Sequence, residues 1–407
     1  MNENNEKYNI ICLSNQQWDF PLHTNKRLVM ERLAGQGHNV LFVDPPINTG
    51  RLFLRQLLRG QWGLSRMLSR TYRGKEGALV YSPLKPVPSA RVTSNWHIKK
   101  INSLIEREFD TSKKTLLWVY HVQIEELERF VAEISHDVLI YDCVDNYTAF
   151  PDNSLFYSAN VSKDKVVEQE KALTSNADVV FATAPGLVKH LKKYREVVHF
   201  TPNVGDYERF VNSKSYKDQL PDDMKGIKRP ILGFAGAIDE YKLDRDLLRK
   251  IVSDHPNFSF VIIGPSGLKD KDATKEDLGF SDFDNIYFLG ARPYESLPYY
   301  YGGFDAYIIP YVLSDYTVGG CFPVKFHDAL ATGMPVIVTD LPAYYPFDDV
   351  SYISKDYEEF SSNIKKAFDE DSPALAKKRQ KVASENSWDG KTLQMLGHIS
   401  DFIKRKP

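Results

Sequence analysis

The sequence predicts an α/β fold with a parallel sheet in each half of the chain. In both halves, short apolar runs end in glycine or polar residues and alternate with amphipathic helical patterns. The length of 407 residues also exceeds one ordinary core and fits two domains of about 150–200 residues each. These observations together favour two doubly wound units joined by a linker.

The first half begins with a strand-loop-helix-strand unit typical of a Rossmann-like domain. Apolar strands are predicted at 8–14 and 37–43, around a helix marked by Leu28, Val29 and Leu33. The loop after the first strand lacks Gly-x-Gly-x-x-Gly, which argues against a dinucleotide site there. Further strands are predicted at 115–120, 138–144, 177–183 and 197–201, and helices at 160–176 and 186–194.

The second half carries the clearest alternation. Buried parallel strands are predicted at 230–238, 258–265, 285–290, 304–310 and 335–339, and residues 319–333 predict a glycine loop that enters a helix. Beyond Thr339 we expect the sheet to end and helices to follow at 357–368 and 373–403. Ligands of open parallel sheets bind at the carboxyl ends of the strands, where glycine and polar residues fall here.

The predicted division places a first domain at 1–210, a polar linker at 211–229, a second domain at 230–385 and a last helix at 386–407.

Composition excludes several classes of protein. Lys and Arg number 52 against 54 acidic residues, so charge gives no support for nucleic-acid binding. The cysteines Cys12, Cys143 and Cys321 are far apart, which fits a reducing cytoplasm and neither a disulfide framework nor a metal site. No apolar run is long enough to span a bilayer, so we expect a soluble or peripheral cytoplasmic protein.

Residues 51–75 form a basic amphipathic segment. Arg51, Arg55 and Arg59 recur every four residues among apolar side chains, and the segment contains no acidic residue. Such a helix can lie on an anionic membrane surface. The alternative is a surface helix that packs its apolar side on its own domain.

Five blocks of the second half resemble the GT-B glycosyltransferases, specifically the family 4-like members that build bacterial cell-surface polysaccharides. The blocks lie at 233–238, 261–265, 285–290, 304–311 and 323–337. The resemblance implies two Rossmann-like domains that face a central cleft, an N-terminal acceptor domain and a C-terminal nucleotide-sugar domain, with a last helix that crosses back. It implies transfer of a hexosyl unit from a nucleotide sugar, a UDP-linked one in our interpretation, to a glycan or lipid-linked saccharide at the cytoplasmic membrane face.

The resemblance also implies a set of donor-binding residues. They are Gly236, Lys242, Arg292, Gly319, Gly320, Lys325 and Asp328. Lys325 follows the Gly-Gly pair at a predicted helix start, where the helix dipole adds to its charge.

The remaining donor residues occupy family positions with some departures. Lys242 lies six residues after Gly236, where family members carry a diphosphate-binding lysine, but Ala237 replaces the accompanying arginine. Asp328 takes the place of the second glutamate of Glu-x7-Glu, the ribose ligand, and Gly320 replaces the first. Arg292 falls in a loop that contacts the nucleobase.

The acceptor side offers Asp145 and His121 as catalytic candidates. Asp145 would be the general base of an inverting transfer, or an acceptor ligand in a retaining one. His121 would contact the donor sugar or act as the base, and a structural histidine is an equal alternative. No Asp-x-Asp directly follows a predicted strand, so we expect a metal-independent enzyme without a cofactor, in which amides and cations stabilise the leaving group.

Two other functions fit parts of this sequence. A nucleotide-sugar epimerase shares the two Rossmann halves but needs more carboxylates at the sheet rim than Asp142 and Asp145. A non-catalytic subunit of a glycan-assembly complex would explain why Gly320 replaces the first glutamate of the family pattern. Donor turnover separates these alternatives, since the sugar is transferred, epimerised or left unchanged.

Overall fold

A computed structural model describes residues 6–19, 24–48, 70–85, 89–149, 161–265, 274–320, 322 and 324–406. These residues form two large sheets, each with its own apolar core. The predicted α/β fold with two parallel-sheet, Rossmann-like halves is confirmed.

The first half contains ten strands. They are β1 (Asn9–Leu13), β2 (Asn39–Val43), β3 (Ile47–Asn48), β4 (Arg70–Arg73), β5 (Leu79–Ser82), β6 (Leu84–Lys85), β7 (Thr115–Val119), β8 (Val138–Cys143), β9 (Val179–Ala182) and β10 (His199–Phe200). Eight of them form one sheet in the order β10-β9-β8-β7-β1-β2-β5-β4. The neighbours pair in parallel except β4 and β5, which are antiparallel. All five residues of β1 are buried, which explains its continuous apolar run at the centre of the sheet.

The described residues of the first half form six helices. They are α1 (Asn25–Gly35), α2 (Ala90–Glu108), α3 (Leu127–Glu133), α4 (Lys163–Asn176), α5 (Pro185–Leu191) and α6 (Tyr207–Phe210). Serines cap the two longest: Ser89 accepts a hydrogen bond from the amide of Val92, and Ser162 accepts one from the amide of Lys165.

The second sheet has six strands, all paired in parallel. They are β11 (Ile231–Ala235), β12 (Ser259–Ile263), β13 (Ile286–Gly290), β14 (Ala306–Ile309), β15 (Val336–Thr339) and β16 (Tyr352–Ser354), in the order β13-β12-β11-β14-β15-β16. The expectation that the sheet ends after Thr339 is wrong, because β16 pairs with β15. This edge strand has three residues, two of them only half buried, so it lacks the apolar run that marked the others.

Seven helices belong to the second half. They are α7 (Arg245–Asp254), α8 (Leu297–Gly303), α9 (Asp315–Gly320), α10 (Lys325–Ala331), α11 (Tyr357–Asp369), α12 (Pro373–Glu385) and α13 (Trp388–Arg405). The predicted glycine loop is partly wrong, since Gly319 and Gly320 end the short helix α9.

Two connections hold the halves together. Helix α6 and the segment after it pack on the second core, where Phe210 and Met224 are buried. The last helix, α13, instead buries Trp388 and Ile399 in the first core. Its Lys391 donates hydrogen bonds to the carbonyl oxygens of Thr201 and Pro202, at 3.0 and 2.9 Å. The chain therefore crosses between the sheets twice.

Candidate functional site

A cleft lies between the two sheets, at the carboxyl ends of their strands. Predicted site residues from both halves line it: Asp145, Gly236, Lys242, Arg292, Lys325 and Asp328. The position agrees with the rule that open parallel sheets bind ligands beyond the carboxyl ends of their strands.

Lys325 is the first residue of α10, and its ammonium lies at the end of β11. Nζ donates a hydrogen bond of 2.8 Å to the hydroxyl of Tyr311 and lies 5.0 Å from the ring centroid of Phe234. Gly236 follows β11 directly, and a Cβ atom there would collide with Nζ. The glycine therefore leaves the space that the Lys325 ammonium occupies at the cleft wall.

Lys242 faces the cleft beside two tyrosines. Its Nζ lies 5.5 Å from the ring centroid of Tyr241 and 5.4 Å from that of Tyr316. The hydroxyl of Tyr316 donates a hydrogen bond of 3.2 Å to Oδ1 of Asp145, which belongs to the first half. Tyr316 thus connects the predicted acceptor carboxylate with the predicted donor lysine.

Asp328 is buried in α10 and lines the cleft. Its Oδ1 accepts a hydrogen bond of 2.8 Å from the amide of Asp206, in the segment that joins the two sheets. Burial raises the pKa of Asp328 to about 8, although Arg209 and Lys325 act in the opposite direction. A carboxyl group in this state is largely protonated at neutral pH and can donate a hydrogen bond to a ligand oxygen.

Arg292 lines the cleft at its outer edge and is held by an ion pair. Its Nη2 lies 2.7 Å from Oδ2 of Asp223, and its Nε donates a hydrogen bond of 2.9 Å to the hydroxyl of Tyr300. Fixed in this way, the guanidinium has a defined orientation toward the cleft.

One predicted residue lies away from the cleft lining. Among the described residues that form this lining, His121 does not occur. The surroundings of Gly319 and Gly320 lie outside the description, so their donor-binding role stays a prediction. His121 follows β7 and is buried, with Nδ1 unpaired. Burial, reinforced by the charge of Lys26, lowers the pKa of His121 to about 3, so the ring is neutral at physiological pH.

Asp142 does not share the rim with Asp145. It lies inside β8, where its Oδ2 accepts a hydrogen bond of 3.2 Å from Nε1 of Trp118. Burial raises the pKa of Asp142, and the charge of Lys391 on α13 lowers it. The prediction that both carboxylates reach one rim is wrong for Asp142, which is buried within the first sheet.

Three further residues, which the sequence did not indicate as ligands, also line the cleft: Asn25, Lys26 and Asn203. Lys26 is the second residue of α1 and is buried. Asn203 accepts a hydrogen bond of 3.0 Å from Asn25 and donates one of 2.9 Å to the carbonyl of Phe322. The sequence position of Lys26 indicates a place near the cleft, because Lys26 lies in the first turn of the helix that follows β1.

The described residues contain neither a metal-ligand cluster nor a membrane-spanning helix. No group of three or more His, Cys, Asp or Glu side chains there could hold a metal ion. No helix in that part of the chain is long and apolar enough to cross a membrane.

The basic segment 51–75 lies mostly outside the described residues. The described end forms strand β4, in which Arg70 pairs with Asp19 and Arg73 with Glu108, both at 2.6 Å.

Comparisons with known proteins agree with this architecture. The sucrose-phosphate synthase of Thermosynechococcus elongatus has a TM-score of 0.71 at 14% identity, over 98% of this chain and 100% of that one. HepE of Anabaena, solved with UDP and glucose, has a TM-score of 0.67 at 15% identity, over 97% and 99% of the two chains. The protein has the GT-B fold.

Sequence comparison assigns the second half to a family. Residues 229–370 match the family described as glycosyl transferases group 1. Over 217 residues the chain is 30% identical to TuaH of Bacillus subtilis (strain 168), named as a teichuronic acid biosynthesis glycosyltransferase. That match covers 51% of this chain and 52% of TuaH, so the chain spans about half the length of this curated relative. Residues 229–370 are therefore a group 1 glycosyltransferase domain, which confirms the resemblance read from the sequence.

Proposed function

We propose that the protein is a glycosyltransferase that moves a hexosyl unit from a UDP-linked sugar to a saccharide or lipid-linked saccharide of the bacterial surface. One observation carries the proposal. The ammonium groups of Lys242 and Lys325 line the cleft from the group 1 domain, and the carboxylate of Asp145 lines it from the other half. In the proposed site the two ammonium groups would bind the diphosphate, and Asp145 would be the base for an acceptor hydroxyl.

The leaving group determines what the donor half must do. As the glycosidic bond breaks, the departing diphosphate gains negative charge, and preorganised cations and amides stabilise that charge. Lys325 is held by Tyr311, and Lys242 lies against two aromatic rings, so both ammonium groups are positioned before the donor binds. The proposed mechanism uses these cations in place of a metal ion.

The rest of the donor would contact other described residues. Asp328 lies deep in the cleft, where its carboxyl group would hydrogen-bond to ribose hydroxyls. Arg292, oriented by Asp223 and Tyr300, would contact the nucleobase at the outer edge. Gly319 and Gly320 end α9 shortly before Lys325, and their contact with the donor stays a prediction.

Asp145 is the better candidate for the general base. The low pKa of His121, about 3, makes its imidazole a weak base at neutral pH. His121 is buried away from the cleft lining, so a structural role is the better proposal for it. In an inverting reaction Asp145 would take the proton of the attacking hydroxyl; in a retaining reaction the leaving phosphate would take it and Asp145 would hold the acceptor.

The relatives support the choice of substrates. HepE was solved with UDP and glucose, and TuaH is named for teichuronic acid biosynthesis. Both are consistent with a UDP-linked hexose and a surface polysaccharide.

A lipid-linked acceptor would place the protein at the cytoplasmic face of the membrane. On α2, Val92 and Trp96 are exposed, at 40% and 50%, and Lys99 and Lys100 are exposed one turn later. An exposed tryptophan beside lysines suits an anionic lipid surface. Co-sedimentation with vesicles that contain phosphatidylglycerol tests this contact, which a Trp96→Ala variant should weaken; equal binding of both proteins would refute it.

The proposed reaction is tested by following the fate of the sugar. The protein is incubated with radiolabelled UDP-glucose or UDP-N-acetylglucosamine and a membrane lipid extract, and nucleotide and lipid fractions are separated. We expect UDP release with label in the lipid or polymer fraction. Epimerised nucleotide sugar would contradict the proposal in favour of an epimerase, and unchanged donor with folded protein would favour a non-catalytic subunit.

A further inference from the structure

Lys26 is a buried cation whose place in the cleft is not explained by the fold. It is the second residue of α1, is 4% exposed and lines the cleft with Asp145 and Lys242. Within the described parts of the chain, its ammonium has no hydrogen-bond or ion-pair partner, since its hydrogen bond to Asn25 involves the backbone amide. A lysine in this position usually extends into solvent or finds a carboxylate.

The charges around Lys26 have both signs. Burial lowers the pKa of Lys26; Asp145 opposes this effect, and Lys242 from the other half adds to it. The same ammonium lowers the pKa of His121. Lys26 and Asp145 from the first half therefore line the same cleft as Lys242 from the second half.

This arrangement is unfavourable without a ligand. Burial of the Lys26 side chain disfavours its charged form, and the ammonium of Lys242 across the cleft adds repulsion, which Asp145 opposes. The start of α1 increases the positive potential, because the amides of its first turn point outward and the Thr24 side chain, as described here, accepts no hydrogen bond from them. An anion bound between Lys26 and Lys242 would remove all three penalties at once.

We propose that Lys26 is a donor ligand from the N-terminal half: its ammonium and that of Lys242 bind the same phosphate group of the nucleoside diphosphate. This inference depends on the proposed function, which supplies the nucleotide. It adds a specific consequence, namely that the diphosphate bridges the two halves. Donor binding would then draw the halves together, and the acceptor site around Asp145 would be completed only when the donor is present.

The test combines ligand affinity with the stability of the free protein. Calorimetric titrations with UDP and with uridine are made on the wild type, Lys26→Met and Lys26→Arg, with Lys377→Met as a control for loss of an exposed lysine. We expect Lys26→Met to bind UDP about ten- to a hundredfold more weakly, the usual effect of losing one charge-assisted hydrogen bond, and uridine equally well. Lys26→Arg should recover part of the affinity, and Lys377→Met should match the wild type.

Thermal unfolding without ligand separates a binding role from a structural one. Lys26→Met should melt at a temperature equal to or above that of the wild type, because methionine removes an unpaired buried charge. A large fall in melting temperature would show that Lys26 stabilises the fold and would overturn the inference.

The affinity data decide the remaining alternatives. UDP affinity unchanged in Lys26→Met would overturn the inference while leaving the proposed function intact, since the wild type still binds UDP. Weaker binding of UDP-glucuronate with unchanged binding of UDP would assign Lys26 to a sugar carboxylate and overturn the phosphate assignment. If the wild type binds no nucleotide, the proposed function fails together with the inference.

Discussion

Gly236 and Lys325 compete for one position at the carboxyl end of β11: a Cβ atom on residue 236 would collide with the ammonium of Lys325. The two residues are 89 positions apart in sequence, and the sequence predicts both as donor ligands. The contact gives the glycine a definite role, since its missing side chain allows the cation to reach the cleft.

Substitution of Gly236 by alanine should therefore displace the Lys325 ammonium without unfolding the protein. The colliding atom ends a flexible side chain, so the free energy of unfolding should change by less than about 1 kcal/mol. Affinity for UDP should fall about tenfold, equivalent to about 1.4 kcal/mol, in a calorimetric titration. Gly397→Ala in α13 is the control, because the described atoms leave open space around a Cβ there. Equal UDP affinity of Gly236→Ala and the wild type would show that the Lys325 ammonium does not contact the donor.

Asp145→Asn should separate catalysis from donor binding. If Asp145 takes the acceptor proton, its loss should reduce kcat by about 10²–10⁴-fold and leave the dissociation constant of UDP within about twofold. Steady-state transfer assays and calorimetry measure the two quantities. An active Asp145→Asn enzyme would instead support a reaction in which the leaving phosphate accepts the proton.

Tyr316→Phe is the companion variant, because it removes the hydrogen bond of 3.2 Å to Asp145 and keeps the ring beside Lys242. Its kcat should fall less than that of Asp145→Asn, with UDP affinity unchanged.

Asp328 should make the stability of the protein depend on pH. Its folded-state pKa of about 8 lies above its ordinary value of 3.8, so its contribution to stability is complete below pH 3.8 and is lost as pH rises through about 8. Relative to Asp328→Asn, the wild type should lose up to about 1.4 kcal/mol of unfolding free energy per pH unit across this window. Urea denaturation of both proteins between pH 5 and pH 8 measures this difference. If the free energy of unfolding changes with pH equally in the two proteins, Asp328 is ionised in the folded state over this range.

Much of the fold could be predicted because its strands are buried on both faces. In β12, Ser259–Ile263, every residue is buried, so hydrophobicity alone marks the strand. β16 was not predicted, because it is short and half exposed. Its position depends on pairing with β15 and not on its own composition. Edge strands of this kind are specified by tertiary contacts.

The error at Gly319 and Gly320 has a local cause. The backbone amide of Thr317 donates to the Ser314 hydroxyl at 3.3 Å, and the amide of Ser314 donates to Oγ1 of Thr317 at 2.9 Å. This reciprocal capping starts a helix that continues into the glycines despite their low helix propensity. Ser314 and Thr317 therefore mark the start of this helix in the sequence.

Site residues could be predicted where they belong to local sequence motifs. They could not be predicted where distant segments of the chain come together. Lys242, Lys325 and Asp328 follow strand ends or begin helices of the group 1 domain, so their sequence positions place them near the cleft. Lys26 looks like an ordinary surface lysine at a helix start, but it is buried in a cleft that both halves line. Such a cleft depends on the approach of two domains, which the periodicity of either one does not encode.

The most direct measurement is a calorimetric titration of the purified protein with UDP and GDP, in parallel with Lys325→Ala. We expect UDP to bind to the wild type. Lys325→Ala should bind UDP about ten- to a hundredfold more weakly, because it loses a charged contact to the diphosphate. GDP should bind more weakly than UDP. Failure of the folded wild type to bind either nucleotide, or UDP affinity that does not depend on Lys325, would contradict a nucleotide-sugar site in the cleft of the group 1 domain.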